Sequence, residues 1–258
     1  MTSPLDLGTA ARIALACLDL TSLNDADTEA DIERLCRRAQ GPHGPTAAVC
    51  VWPRFVAQAR RLLPEHIAVA AVANFPAGGT DLARAVEDTR AIVAAGGNEV
   101  DVVLPYAALR AGDEAAVRAL LDAVRAAAPS LTLKVILETG VLADEALIAH
   151  ASTLSIAAGA DFLKTSTGKT PVSATPAAAR AMLACIASTP AARTVGFKAS
   201  GGVRTVADAA TYIALQSQLL GPESLVPRRF RIGASSLLDD IEAVLDGRGS
   251  AVMPKGGY

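Results

Sequence analysis

A chain of 258 residues with 51% hydrophobic content can bury a substantial core, as one large α/β domain or two small ones, and is too apolar for disorder. Aromatics at 3% and a formal net charge of −2 argue against a stacking surface for nucleic acid or a basic field for DNA or anionic lipid. Cys17, Cys36, Cys50, Cys185 and the histidines at 43, 66 and 150 have no zinc-ligand spacing, so reduced thiols, a cytoplasmic location, no metal and no cofactor are expected.

The amino terminus has Asp6 early and no basic start, which argues against a signal peptide. Apolar runs break well before the ~18 residues of a membrane span, so no membrane or nucleic-acid partner is expected. Residues 4–16 read as an amphipathic leading helix, and residues 18–21 as a very short strand. The run Asn24-Asp25-Ala26-Asp27-Thr28 supplies capping residues for a helix to about Ala39, and Gly41-Pro42-His43-Gly44-Pro45 is a loop. Strands are then expected at 47–52, 67–73, 99–104, 131–138, 161–165, 194–198 and 230–233. Helices are expected at 53–63, 81–95, 113–127, 144–158, 175–188, 205–219 and 236–245.

Continuous apolar strands alternating with helices mean a parallel sheet covered by helices. Eight such units in ~250 residues fit a closed barrel better than an open sheet, and no G-x-G-x-x-G follows the first strand. The expected fold is therefore α/β: a single (β/α)8 TIM barrel over residues 1–258, with an extra N-terminal helix and a flexible C-terminal tail from about residue 250.

Residue choice points to amine chemistry. Only five of the 24 basic residues are lysine (134, 164, 169, 198 and 255), so the chain takes its routine positive charge from arginine. Arginine cannot give up its proton in a protein, whereas a buried lysine can. Lys164 ends the expected sixth strand and opens onto Thr165-Ser166-Thr167-Gly168-Lys169, where parallel α/β folds bind ligands. In a barrel, Asp19, Cys50, Asp101, Lys134, Glu138, Lys164 and Lys198 would all lie at or near one face. Neither Lys134 nor Asp101 is tolerable unpaired in so apolar a strand. A coupled network of lysines and aspartates either tunes pKa values for catalysis or is a structural ion cluster.

Gly201-Gly202-Val203-Arg204 follows the seventh strand, and Gly233-Ala234-Ser235-Ser236 follows the eighth and opens a helix. Loops at those two positions, beside a helix N-terminus, form phosphate sites in many barrels, and Gly168 and Lys169 could close one from the sixth loop. Cys50 could touch substrate from its strand end, although an apolar cysteine is more often core.

The motifs Leu18-Asp19-Leu20-Thr21, Val49-Cys50-Val51-Trp52-Pro53, Glu99-Val100-Asp101-Val102-Val103, Leu133-Lys134-Val135-Ile136-Leu137-Glu138, Leu163-Lys164-Thr165-Ser166-Thr167-Gly168, Gly196-Phe197-Lys198-Ala199-Ser200-Gly201-Gly202 and Gly233-Ala234-Ser235-Ser236 together resemble the deoxyribose-phosphate aldolase family. The resemblance covers nearly the whole chain. It implies reversible, metal-free cleavage of 2-deoxy-D-ribose 5-phosphate to acetaldehyde and D-glyceraldehyde 3-phosphate through a lysine Schiff base. By it, Lys164 looks like the imine-forming residue and Lys198 the neighbour that lowers its pKa. Asp101 resembles the proton-relay carboxylate, Lys134 its partner and Asp19 part of the polar network. Gly168, Lys169, Gly201, Gly202, Arg204, Gly233, Ser235 and Ser236 match the phosphate loops, and Cys50 and Thr165 join the substrate-binding set. The terminal Tyr258 is expected to assist proton transfer. Trp52 departs from the family's common Tyr. A homodimer is the expected assembly. Two alternatives stay open: an imine-forming barrel aldolase with a ketone donor, and a phosphosugar-binding barrel without catalysis.

Overall fold

The computed structural model describes residues 5–190 and 194–250. Eight parallel strands close into a barrel in sequence order: β1 (Leu18–Thr21), β2 (Ala48–Val51), β3 (Ala68–Ala73), β4 (Glu99–Val103), β5 (Thr132–Ile136), β6 (Phe162–Lys164), β7 (Gly196–Ser200) and β8 (Phe230–Ala234). The β8–β1 pairing, with Asp19 opposite Gly233, seals it. The main helices are α1 (Leu7–Ala16), α2 (Glu29–Arg38), α3 (Val56–Leu62), α4 (Leu82–Ala94), α5 (Tyr106–Arg110), α6 (Glu114–Ala127), α7 (Thr139–Leu142), α8 (Glu145–Ala157), α9 (Pro176–Ala187), α10 (Val206–Leu220) and α11 (Leu237–Leu245). Among the described residues no helix is long and apolar enough to cross a membrane.

The period of two along each strand divides the interior. Leu18, Leu20, Val49, Val51, Val69, Ala71, Val100, Val102, Leu133, Val135, Leu163, Phe197 and Ile232 belong to the core beneath the helices. The alternate positions carry Cys50, Ala70 and Val72, which form a separate small apolar cluster. They also carry Asp19, Glu99, Asp101, Lys134, Lys164, Lys198 and Arg231, all buried. A barrel of eight strands is just wide enough for side chains to fill, and here the filling is largely ionic.

Capping chemistry sets the helix starts. Asp6, Thr28, Asp81, Asp113, Asp144, Thr175 and Thr205 each accept an early helix amide, a contact typically worth about 1 kcal/mol. Helices α3, α5, α7 and α11 have no side-chain cap, and at the start of α11 the Asp239 amide is met by the backbone carbonyl of Ser236 at 3.2 Å.

Two local expectations change. The seventh strand runs Gly196–Ser200 rather than 194–198, which puts Lys198 at mid-strand. Gly196, where β7 begins, pairs in register with Phe162, and a Cβ there would lie 2.4 Å from the Phe162 ring, so the position needs glycine. The short helices α5 and α7 occupy the connections between an expected strand and the next expected helix, and neither has a capping side chain to signal it.

Candidate active site

Strand register builds the centre. Asp101 of β4 pairs in register with Lys134 of β5, Lys164 of β6 with Lys198 of β7, and Lys198 with Arg231 of β8. Side chains at those positions point into the barrel and meet. Asp101 accepts from three amines: Lys134 Nζ at 2.8 Å on Oδ1, and Lys164 Nζ at 2.7 Å and Lys198 Nζ at 2.8 Å, both on Oδ2. Lys198 also donates to Asp19, and Lys134 to Glu99. Arg231 closes the network with Nη1 at 2.5 Å from Asp19 Oδ1 and Nη2 at 2.7 Å from Glu99 Oε1.

Four cationic side chains (Lys134, Lys164, Lys198 and Arg231) face three carboxylates (Asp19, Glu99 and Asp101) in this network. One cation is in surplus, and the arrangement is neutral when one amine is deprotonated. Arg231 cannot be that group, and it holds two carboxylates. Lys134 reaches three carboxylates and Lys198 two, whereas Lys164 has Asp101 alone and shares its oxygen with Lys198.

The pKa directions agree. Burial, helped by the Lys198 charge and opposed by Asp101, holds the Lys164 ammonium below its ordinary value. Burial also disfavours charge on Lys198 and Lys134. For Lys198 the attraction of Asp101 and Asp19 outweighs it, and for Lys134 that of Asp101, Glu99 and Asp19, so both pKa values rise. Against their own burial, the neighbouring cations hold Asp19 and Asp101 below the usual carboxylate range. Lys164 is the one lysine of the three with any exposed side-chain surface, 3% against 0% for the others. A buried neutral amine within reach of solvent is a nucleophile for carbonyls.

A cavity of about 310 Å³ opens at the carboxyl ends of β1, β6, β7 and β8. Its lining includes Thr167, Gly168, Lys169, Ser200, Gly201, Gly202, Arg204, Gly233, Ser235 and Ser236. Gly201 has φ +83°, and a Cβ there would meet Ser173 at 2.6 Å, so only glycine lets the loop pass. A Cβ on Gly233 would lie 2.8 Å from Ser200 Oγ and 2.9 Å from Lys198 Cε, so its absence keeps the wall next to the amines open. The uncapped start of α11, Lys169 and Arg204 give this cavity donors and positive charge, the features that hold an oxyanion.

The expected residues thus fall into two adjoining groups. Lys164, Lys198, Asp101, Lys134 and Asp19 form the ionic centre, and the eight loop residues line the cavity. Cys50 is buried with its Sγ 4.0 Å from Asp101 Oδ2, and burial raises its thiol pKa, so it stays protonated. Thr165 is buried and ties β6 to β7: its hydroxyl donates to Ser200 O at 3.1 Å and accepts from Ser200 N at 3.0 Å. Tyr258 and the tail after residue 250 lie outside the described residues. Glu99 and Arg231 belong to the network but were not among the expected site residues. The signal lay in strand alternation, since each shares its face with a residue already singled out.

A sequence profile of the DeoC/LacD family aldolases matches residues 13–242. Among solved structures, a candidate deoxyribose-phosphate aldolase from Coccidioides immitis is 30% identical at a TM-score of 0.79, covering 93% of this chain and 88% of that one. A second candidate, from Toxoplasma gondii ME49, is 25% identical at a TM-score of 0.85, with 93% and 98% covered. A tetrameric deoxyribose phosphate aldolase from Aeropyrum pernix is 28% identical at a TM-score of 0.72, with 92% of each chain covered.

Proposed function

The chain belongs to the DeoC/LacD aldolase family, and on that premise we propose that it cleaves 2-deoxy-D-ribose 5-phosphate reversibly to acetaldehyde and D-glyceraldehyde 3-phosphate through an imine on Lys164. One observation carries the reading. The least-paired amine of a cation-rich buried network ends β6, whose following loop walls an oxyanion cavity.

Neutral Lys164 adds to the aldehyde carbon C1 of the open-chain sugar, and loss of water leaves a protonated imine. The iminium draws electrons as the C2–C3 bond breaks and the C3 hydroxyl loses its proton. Glyceraldehyde 3-phosphate leaves, and the two-carbon fragment remains as an enamine. Protonation at C2 and hydrolysis then release acetaldehyde and free the amine. Asp101, 2.7 Å from Lys164 and 2.8 Å from Lys198, is positioned to pass protons between the amines and the reacting centre.

Borohydride reduction in the presence of acetaldehyde should leave one ethyl group on Lys164, read by peptide mass spectrometry. Labelling at Lys198 or Lys134 instead would remove Lys164 from this role.

The phosphate is assigned to the cavity at the start of α11. Ser235→Asp puts a carboxylate where the dianion would sit. It should raise KM for deoxyribose 5-phosphate roughly tenfold to a hundredfold, with little change for unphosphorylated deoxyribose. Equal losses on both sugars would move the phosphate elsewhere.

A further inference from the structure

We infer that Glu138 is a positioning residue whose carboxylate presets the 167–170 turn, one wall of the oxyanion cavity. This rests on reading that cavity as the phosphate site. Glu138 follows β5 and is fully buried, yet among the described residues it makes no ion pair. Its backbone stands at φ 54° and ψ 58°, a left-handed conformation that a bulky side chain seldom adopts. Outliers of this kind persist where surrounding contacts hold them, and they concentrate at functional sites.

The contacts all lead to one turn. Thr167 Oγ1 donates to Glu138 Oε2 at 2.5 Å, Thr167 N lies 3.3 Å from the same oxygen, and Thr170 Oγ1 donates to Oε1 at 3.2 Å. Thr167 Oγ1 in turn accepts from Lys169 N at 3.0 Å, so one carboxylate fixes both ends of the turn. Lys169 Nζ then reaches Leu23 O at 2.7 Å, joining the turn to the loop after β1 on the cavity lining. A buried carboxylate with no ion pair among the described residues requires its hydrogen-bond donors, so the turn cannot relax without stranding it.

Glu138→Asp and Glu138→Gln separate reach from charge. Aspartate keeps the charge but is one methylene too short. Glutamine keeps the length, can accept from Thr167 and can donate to Thr170 Oγ1, whose single proton would then turn from residue 138 to Val172 O, 3.0 Å away. In the aspartate variant, amide hydrogen exchange across 167–170 should quicken roughly tenfold or more. Its KM for deoxyribose 5-phosphate should rise by about tenfold, with borohydride trapping by acetaldehyde at Lys164 unchanged. The glutamine variant should match wild type in all three. Unchanged exchange in the aspartate variant, or a glutamine variant as impaired as the aspartate one, overturns the proposal. If wild type itself shows no preference for the phosphorylated sugar, the phosphate reading of the cavity fails, and the exchange result alone decides the role of Glu138.

Discussion

Lys198→Met should move the rising limb of the pH–rate profile toward alkaline pH and cut turnover at neutral pH by about tenfold or more. The substitution removes one cation from the network of four, leaving three cations against three carboxylates. Neutrality then favours a protonated Lys164, and the second oxygen environment of Asp101 is freed to hold it. The sign follows from the reactive form. The free amine forms as pH rises through the folded pKa of Lys164, which burial and Lys198 now hold below the ordinary 10.5. Burial is the larger cause and survives the substitution, so the limb should move toward that value without passing it. Activity should therefore recover substantially at high pH, whereas loss of the nucleophile would not be reversed there. An unmoved limb would mean that Lys198 does not share the proton balance of Lys164.

The residues that were legible from sequence are those whose type is costly in its context. Five lysines among 24 basic residues made Lys134, Lys164 and Lys198 stand out, and an aspartate inside an apolar strand required partners. The eight strands were equally legible, because apolar runs of strand length alternated with capped helices. Arg231 was hidden by the same reasoning: one arginine among 19 looks routine until register sets it beside Lys198 and opposite Glu99. The start of β7 was hidden because the boundary is marked by pairing with β6, where Gly196 lies in register with Phe162, 34 positions earlier in the sequence. The role of Lys198 was also only partly legible. Like-charge repulsion acts on Lys164 in the expected direction, but burial, which depends on the closed barrel, contributes more.

Asp101→Asn should move the same limb in the opposite direction. Asp101 raises the pKa of Lys164, so its neutralisation leaves four cations facing two carboxylates and makes the Lys164 proton easier to lose. Imine trapping with acetaldehyde should survive and extend to lower pH. Turnover at the plateau should nevertheless fall by roughly 10²–10⁴-fold, because an amide cannot take a proton from one amine and return it to the reacting centre. Stability should fall as well, since removing one partner from a buried ion network typically costs about 3–5 kcal/mol. That loss has its own pH dependence. The folded pKa of Asp101 lies well below its ordinary 3.8, so its contribution is complete above 3.8 and fades as pH falls toward the folded value. The gap between wild-type and variant melting temperatures should therefore be widest near neutrality and narrow in acid. Opposite displacements of the limb in Lys198→Met and Asp101→Asn require one shared proton balance. Displacement of both in the same direction would break the charge count and, with it, the argument that Lys164 is the amine set free.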